Sequence, residues 1–288
     1  LLNLSGRDTM VGETVSRIAT VTPEQNIFIV TNKDQVPGME SAVGGRIGKG
    51  NILSEPAARN TAACVGYAAV TIRKKFGDGI MCISPADHFI KDVNAFTNTL
   101  KSACALASEK DVLITLGITP TFPSTGYGYI RFDKNEASLA KKVIEFKEKP
   151  DGETAKRYVS SGEYAWNSGM FVWKASSILS RFEQLMPDVY EKLSIIKDAV
   201  GTSQQEDIIE KIFPEFPSIS IDYGIMEKSG NIYTIPGSFG WDDVGSWLAM
   251  ERIRKTNEFG NIVDGDVITI DTKDTIIVGK NKLIACVG

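Results

Sequence analysis

The stretch CISPADHFI (82–90) ends an apolar run in two ligand-capable side chains, Asp87 and His88, the latter the only histidine of the chain. In open α/β sheets ligands gather at the carboxyl ends of strands. A carboxylate there can hold Mg²⁺ against phosphate oxygens. The alternative for Asp87 is a cap for a helix starting near Asp92, or a turn. A lone histidine at a strand end is more often structural than a general base. Farther on, GWDDVGSW (240–247) sets Asp242 and Asp243 between tryptophans and glycines. Two carboxylates in so apolar a setting call for a cation partner, or else cap the helix that follows.

Other segments offer polar groups of different kinds. SEPAARNTAA (54–63) runs from a strand end into a helix, with Asn60 and Thr61 as cap-type residues and Arg59 as a nearby cation. Such a helix start suits an anion or a polar ring, and equally suits a capped helix with nothing bound. The glycines of TGYGY (125–129) allow close backbone approach to a ligand, or an ordinary hairpin turn. In FKEKP (146–150), Glu148 and Lys149 are adjacent at a strand end, so both can reach one ligand only where the strand twists or bulges. WNSGMFVW (166–173) carries Asn167 and Ser168 inside an apolar strand, where sugar hydroxyls or backbone groups could satisfy them. SIDYGIMEK (220–228) reads first as an N-capped helix. GGRIGKG (44–50) neither follows a strand directly nor opens a helix, and lacks the Lys-Ser/Thr ending of a phosphate loop; it reads as a surface connection.

The elements that must position these groups alternate. Helical periodicity at Met10, Val15, Ile18 and Ala19 is followed by apolar runs at 27–31 and 51–53, a long helix at 60–76, and a strand at 79–85. A helix at 93–107 and a strand at 112–118 follow. Strands apolar throughout and separated by helices predict an α/β fold with a mostly parallel, Rossmann-like sheet covered on both faces. The second half predicts paired strands at 126–132 and 141–149, a capped helix from Asp151 to Ser160, a strand at 165–174, and helices to about Lys228. Beyond Phe259 short β runs replace this pattern, which divides the chain into an α/β domain at 1–258 and the start of a small β unit at 259–288.

Composition narrows the function classes. The 288 residues are 42% hydrophobic and 24% charged, enough for a packed core, and the net charge of −4 is spread over interspersed acids and bases. Neither a nucleic-acid nor a membrane partner follows from such a surface. The four cysteines form no close pair and three lie in apolar runs, which predicts buried free thiols and argues against a zinc site. Any metal should be a hard, oxygen-bound ion such as Mg²⁺. With no apolar run of membrane-spanning length and no signal peptide, a cytoplasmic protein is expected.

Taken in order, EPAARNTA, SPADHFI, TGYGYI, FKEKP, WNSGMFVW, SIDYGIMEK and WDDVGSW resemble the mannose-1-phosphate guanylyltransferases, from about Leu4 to Gly288. The resemblance implies an α/β nucleotide-binding domain followed by a β unit like a left-handed β-helix, often used in dimer contacts. It implies that GTP and α-mannose 1-phosphate give GDP-mannose and pyrophosphate by in-line attack of the sugar phosphate on the α-phosphorus. On that template Asp87 and Asp243 hold Mg²⁺, with Asp242 the neighbour rather than the ligand. Glu55, Pro56, Arg59, Asn60, Thr61 and Ala62 line guanine and ribose. Gly128, Glu148 and Asn167 contact mannose hydroxyls, and Lys149 faces the sugar phosphate. The family's opening strand and its loop G-G-x-G-x-R-x-x-P, followed by a Lys, have no counterpart here, and GGRIGKG cannot stand in for them. The chain by itself is therefore expected to be nearly inactive. A sister enzyme using UTP or dTTP with glucose 1-phosphate, and a non-catalytic sugar-nucleotide sensor, are the competing expectations.

Overall fold

The computed structural model describes residues 3–4, 7–279 and 281–288. Thr9 caps the first helix, α1 (Met10–Ile18), by accepting from the Gly12 amide, and Met10, Val11 and Val15 bury its apolar face. Next come β1 (Ile29–Asn32), α2 (Val36–Ala42) and β2 (Ile52–Glu55), with β1 and β2 paired in parallel. The small-residue helix α3 (Asn60–Phe76) leads to β3 (Ile80–Ile83), the two-residue strand β4 (Phe89–Ile90), α4 (Val93–Glu109) and β5 (Leu113–Ile118). A hairpin of β6 (Tyr129–Phe132) and β7 (Lys141–Lys147) precedes α5 (Gly152–Ser161) and the long strand β8 (Tyr164–Lys174). Helices α6 (Ala175–Leu185), α7 (Pro187–Ala199), α8 (Gln205–Ile212) and α9 (Ile221–Gly224) follow, then β9 (Ile232–Gly237), β10 (Trp241–Asp242) and α10 (Met250–Ile253).

Six strands form the central sheet in the order β3-β8-β5-β9-β7-β6, with β6 also pairing β8. Only β5 and β9 run parallel within it; β8 is antiparallel to β3, β5 and β6, and β7 is antiparallel to β6 and β9. The expectation of a mostly parallel sheet is therefore corrected to a mixed one. Two apolar strands separated by a helix, β3 and β5, look like parallel neighbours in sequence. β8 intervenes between them, and a strand buried on both faces is apolar whichever way it runs.

Both faces of the sheet are covered, as expected. On one, Phe171, Trp173 and Leu113 pack among side chains of α3, α6 and α7, including Ala69, Phe182 and Leu193. On the other, Ile114, Leu116 and Val172 meet Phe96, Leu100 and Ala103 of α4. Alternation along β5 sends Leu113 and Ile114 to opposite layers, as strand geometry requires.

Four short strands end the chain: β11 (Ile262–Asp264), β12 (Val267–Ile270), β13 (Ile276–Val278) and β14 (Ile284–Val287). They pair in parallel as β11 with β13 and β12 with β14. The four cysteines are free, and all are half-buried rather than fully buried. Among the described residues no helix is long and apolar enough to cross a membrane. Residues 44–50 form the expected surface connection, with Gly44 and Gly45 at positive φ and only Ile47 turned into the core.

Candidate functional site

The site is built around the seam between β4 and β10. These strands pair antiparallel, with Ile90 opposite Trp241 and Phe89 opposite Asp242, so ADH (86–88) and DD (242–243) are brought together from distant parts of the chain. On this seam the Trp241 indole Nε1 donates to Nδ1 of His88 at 3.0 Å, and the two rings meet edge to face. The Arg17 guanidinium donates to the His88 carbonyl. Burial lowers the His88 pKa, against the pull of Asp87 and Asp243. Asp87 itself is exposed, and α4 is capped by Asp92, which accepts from the Ala95 amide. The helix-cap alternative for Asp87 is therefore excluded, whereas the turn alternative holds, since Ala86 and Asp87 lie in a turn.

The two neighbouring aspartates separate. Asp242, only 6% exposed, is held by the Arg252 guanidinium and accepts from the Val244 amide. Asp243 accepts from the Tyr127 hydroxyl at 3.0 Å and from the Gly245 amide, and lines the cavity. Neither caps a helix. Val244, which follows them, sits at φ 50°, a conformation costly for a β-branched side chain.

The cavity has a volume of about 390 Å³ and lies where the loop before β6, the end of β7, β8 and α9 converge with the seam. Gly128, Glu148, Asn167, Asp243 and His88 are on its wall. Gly128 lets the Glu148 carboxylate approach the backbone closely: a Cβ there would lie 2.7 Å from Glu148 Oε2 and would push that flexible side chain aside. The Asn167 backbone amide donates to the Gly128 carbonyl at 2.8 Å, and its side chain is fixed at both ends. Asn167 Nδ2 donates to Asp222 Oδ1 at 2.8 Å while its Oδ1 accepts from the Gly169 amide. Glu148 and Lys149 lie just beyond β7, and Lys149 adopts φ 39°. Their charges lie 3.8 Å apart, with Glu148 on the cavity wall and Lys149 off it.

The segment Glu55, Pro56, Arg59, Asn60, Thr61, Ala62 does not line this cavity but is tied to its floor. The Thr61 hydroxyl accepts from the Ile221 amide at 2.8 Å, and the Ala62 amide donates to the Ile219 carbonyl. These bonds join the start of α3 to the start of α9, whose Asp222 faces the cavity. Asn60, at φ 63°, and Thr61 are not caps of α3: Asn60 Oδ1 accepts from its neighbour's amide, and the N-cap position falls on Arg59. Among the described residues neither Glu55 Oε1 nor Arg59 Nε, both buried, has a hydrogen-bond partner. Burial pushes the Glu55 carboxyl up to about 7. Unpaired buried polar atoms at a helix start are what a bound polar ring would satisfy.

Several wall residues escaped the sequence reading. Tyr127, Asp222, Tyr223, Glu227 and Trp241 all line the cavity; His88, which the sequence favoured as structural, lines it too. Ser220 caps α9 as expected, but the next polar residue, Asp222, turns inward to Asn167. Burial raises its pKa, and Asp222 together with Glu148 raises that of Glu227 beyond the effect of its own burial. An aspartate two residues after a helix cap was the available signal.

Among the described residues no three His, Cys, Asp or Glu side chains form a metal cage. Asp243 lines the cavity, and Asp87 lies off its wall, next in sequence to the wall residue His88. Such a donor set suits a hard ion that keeps waters and completes its shell with ligand phosphates.

Residues 1–258 match the family described as Nucleotidyl transferase. The mannose-1-phosphate guanylyltransferase of Salmonella montevideo is 36% identical over 100% of this chain and 62% of its own length. The xanthan biosynthesis protein XanB of Xanthomonas campestris pv. campestris (strain B100) is 37% identical over 100% of this chain and 61% of its own. Among solved structures, one described as a mannose-1-phosphate geranyltransferase from Thermus thermophilus superposes with a TM-score of 0.81 at 30% identity, covering 98% of this chain and 83% of that one. The chain belongs to the nucleotidyl transferase family. It spans a little over 60% of the length of the two curated relatives named here.

Proposed function

We propose that this protein transfers a guanylyl group from GTP to α-mannose 1-phosphate, giving GDP-mannose and pyrophosphate. The observation that supports this most is the cavity itself. Its wall combines two sets of groups: His88 and Asp243 from the seam, with Asp87 next to His88 in the chain, and Glu148, Asn167 and Asp222, which pair with ring hydroxyls. The names of the Salmonella and Thermus relatives begin with mannose 1-phosphate, in keeping with that division. The sugar phosphate oxygen attacks the α-phosphorus in line, the bond to pyrophosphate breaks, and no covalent intermediate on the protein is needed. Catalysis is then positioning and charge neutralisation. Lys149 neutralises the sugar phosphate, Asn167 and Glu148 orient the ring, and the Gly128 backbone closes over it. The segment from Glu55 to Ala62, with Arg59, receives the base and ribose. Mg²⁺, where bound, would be held by Asp87 and Asp243 and would supply neutralisation of phosphate charge.

The same reading takes residues 1–258 as the nucleotidyltransferase domain and 259–288 as the beginning of a left-handed β-helix used for homodimer contacts, in a cytoplasmic protein. The parallel pairing of β11 with β13 and of β12 with β14 is the feature that favours a coiled β unit. The test is stabilisation against heat by GTP, UTP and dTTP, each with Mg²⁺, and by α-mannose 1-phosphate against α-glucose 1-phosphate. Preference for GTP and mannose 1-phosphate is expected. Preference for UTP or dTTP would replace guanylyl transfer by its sister reaction.

A further inference from the structure

The single histidine of the chain is held in one tautomer. An indole N–H can only donate, and Trp241 Nε1 lies 3.0 Å from His88 Nδ1. Nδ1 is therefore the acceptor, and the ring proton sits on Nε2. Edge-to-face packing of the two rings, with centroids 5.3 Å apart and planes at 87°, keeps that corner of the imidazole against the indole. The backbone is fixed as well. Arg17 donates to the His88 carbonyl, and the next residue, Phe89, pairs with Asp242.

This leaves a donor aimed away from Trp241 with nothing to bond. Among the described residues no group hydrogen-bonds to Nε2, and His88 is part of the cavity wall together with Asp243. The hydroxyl of Tyr127, another donor on this wall, is already given to Asp243. A neutral N–H is also the donor best matched to its neighbours. It can bond a phosphate oxygen without adding a positive charge beside the carboxylates that would hold a metal ion.

We infer that His88 is a phosphate-binding residue: its Nε2–H donates to a non-bridging phosphate oxygen of the sugar 1-phosphate, with Trp241 as the positioning residue that fixes the tautomer. The inference rests on the reading of the cavity as a sugar 1-phosphate site. Because the chain has one histidine, histidine-selective ¹⁵N labelling gives one imidazole to observe. In the free protein the expected spectrum has a protonated Nε2 and an unprotonated Nδ1. Titration of the whole chain with α-mannose 1-phosphate and Mg²⁺ should shift the Nε2 resonance and slow exchange of its proton, while GTP alone should leave it in place. His88→Ala should weaken mannose 1-phosphate binding about tenfold, the loss of one hydrogen bond to a charged group. His88→Gln, whose amide nitrogen reaches a similar position, should keep affinity within about threefold of the parent.

Calorimetric titration of the parent chain separates the two levels of failure. If mannose 1-phosphate does not bind, the sugar 1-phosphate reading falls and this inference falls with it. If it binds without moving Nε2, or if the proton is on Nδ1, or if GTP alone causes the shift, the role of His88 is overturned and the cavity reading survives. Equal affinities of the parent and His88→Ala would overturn it too.

Discussion

Replacing Asp243 by Asn keeps an oxygen for the Tyr127 hydroxyl and the Gly245 amide but removes the charge that faces the cavity. Asp243→Asn is therefore expected to leave unfolding free energy within about 0.5 kcal/mol of the parent, and to weaken Mg²⁺-dependent binding of mannose 1-phosphate at least tenfold by calorimetry. Asp242→Asn should do the reverse. Its buried carboxylate holds Arg252 and the Val244 amide, so urea unfolding should show a loss of about 2 kcal/mol. Equal binding losses for both variants at unchanged stability would contradict this division. The sequence, through its resemblance, could favour Asp243 but had no physical basis for it: the two differ through partners elsewhere in the chain, Arg252 for Asp242 and Tyr127 for Asp243. Glu55 supports a prediction in pH. Burial raises its folded-state pKa from 4.5 to about 7. Between these values the folded protein binds more protons than the unfolded chain, so this group's contribution to stability falls as pH rises from about 4.5 to 7 and is flat above. Glu55→Gln should flatten the fall in melting temperature across that window in the ligand-free protein, and should be the more stable form at pH 8. An unchanged pH profile would place the carboxyl in water.

At the level of elements, the long strand β8 joins stability to the site. Its second half is buried between β3 and β5, while Asn167 in its first half reaches the cavity. Gly117 of β5 is confined by both neighbours: a Cβ would lie 2.5 Å from Thr234 Oγ1 of β9 and 2.8 Å from Ala165 Cβ of β8. Gly117→Ala should cost about 1–3 kcal/mol in unfolding free energy, as overpacking does. Gly128→Ala should act elsewhere, because its added methyl meets the half-exposed Glu148 carboxylate, whose side chain can swing away. That variant should retain nearly parental stability and lose affinity for mannose 1-phosphate, as thermal unfolding and calorimetry on the same preparations would show. Most elements were legible in the sequence, α3 at the limits expected for it and β6 with β7 as a pair. Strand direction was not, because burial on both faces removes the alternation that distinguishes orientations. The pairing of β4 with β10 was equally invisible. Two residues on each side carry no periodicity, yet this short seam is what gathers the chemistry.

The whole molecule carries a net charge of −4, and its cavity wall sets four acids, Glu148, Asp222, Glu227 and Asp243, against one base, Lys147. An anionic ligand therefore enters a negative field, which Lys147 on the wall and Lys149 just off it do not reverse. In the proposed reading three of these carboxylates, Glu148, Asp222 and Glu227, serve as acceptors for sugar hydroxyls, and Asp243, with Asp87, serves the phosphate. A divalent cation is the economical way to change the sign there, and two carboxylates hold one only loosely until phosphate oxygens complete the shell. Two consequences differ from those of a structural metal. Treating the ligand-free protein with EDTA should leave its melting temperature unchanged, since no described cluster is large enough to couple an ion to folding. Adding EDTA to a titration with mannose 1-phosphate should reduce affinity at least tenfold, and Mg²⁺ should restore it. A fall in melting temperature without ligand would indicate a resident metal that these two carboxylates do not explain. Undiminished affinity under EDTA would shift neutralisation to Lys149 and the His88 donor, and would remove the metal role proposed for Asp87 and Asp243.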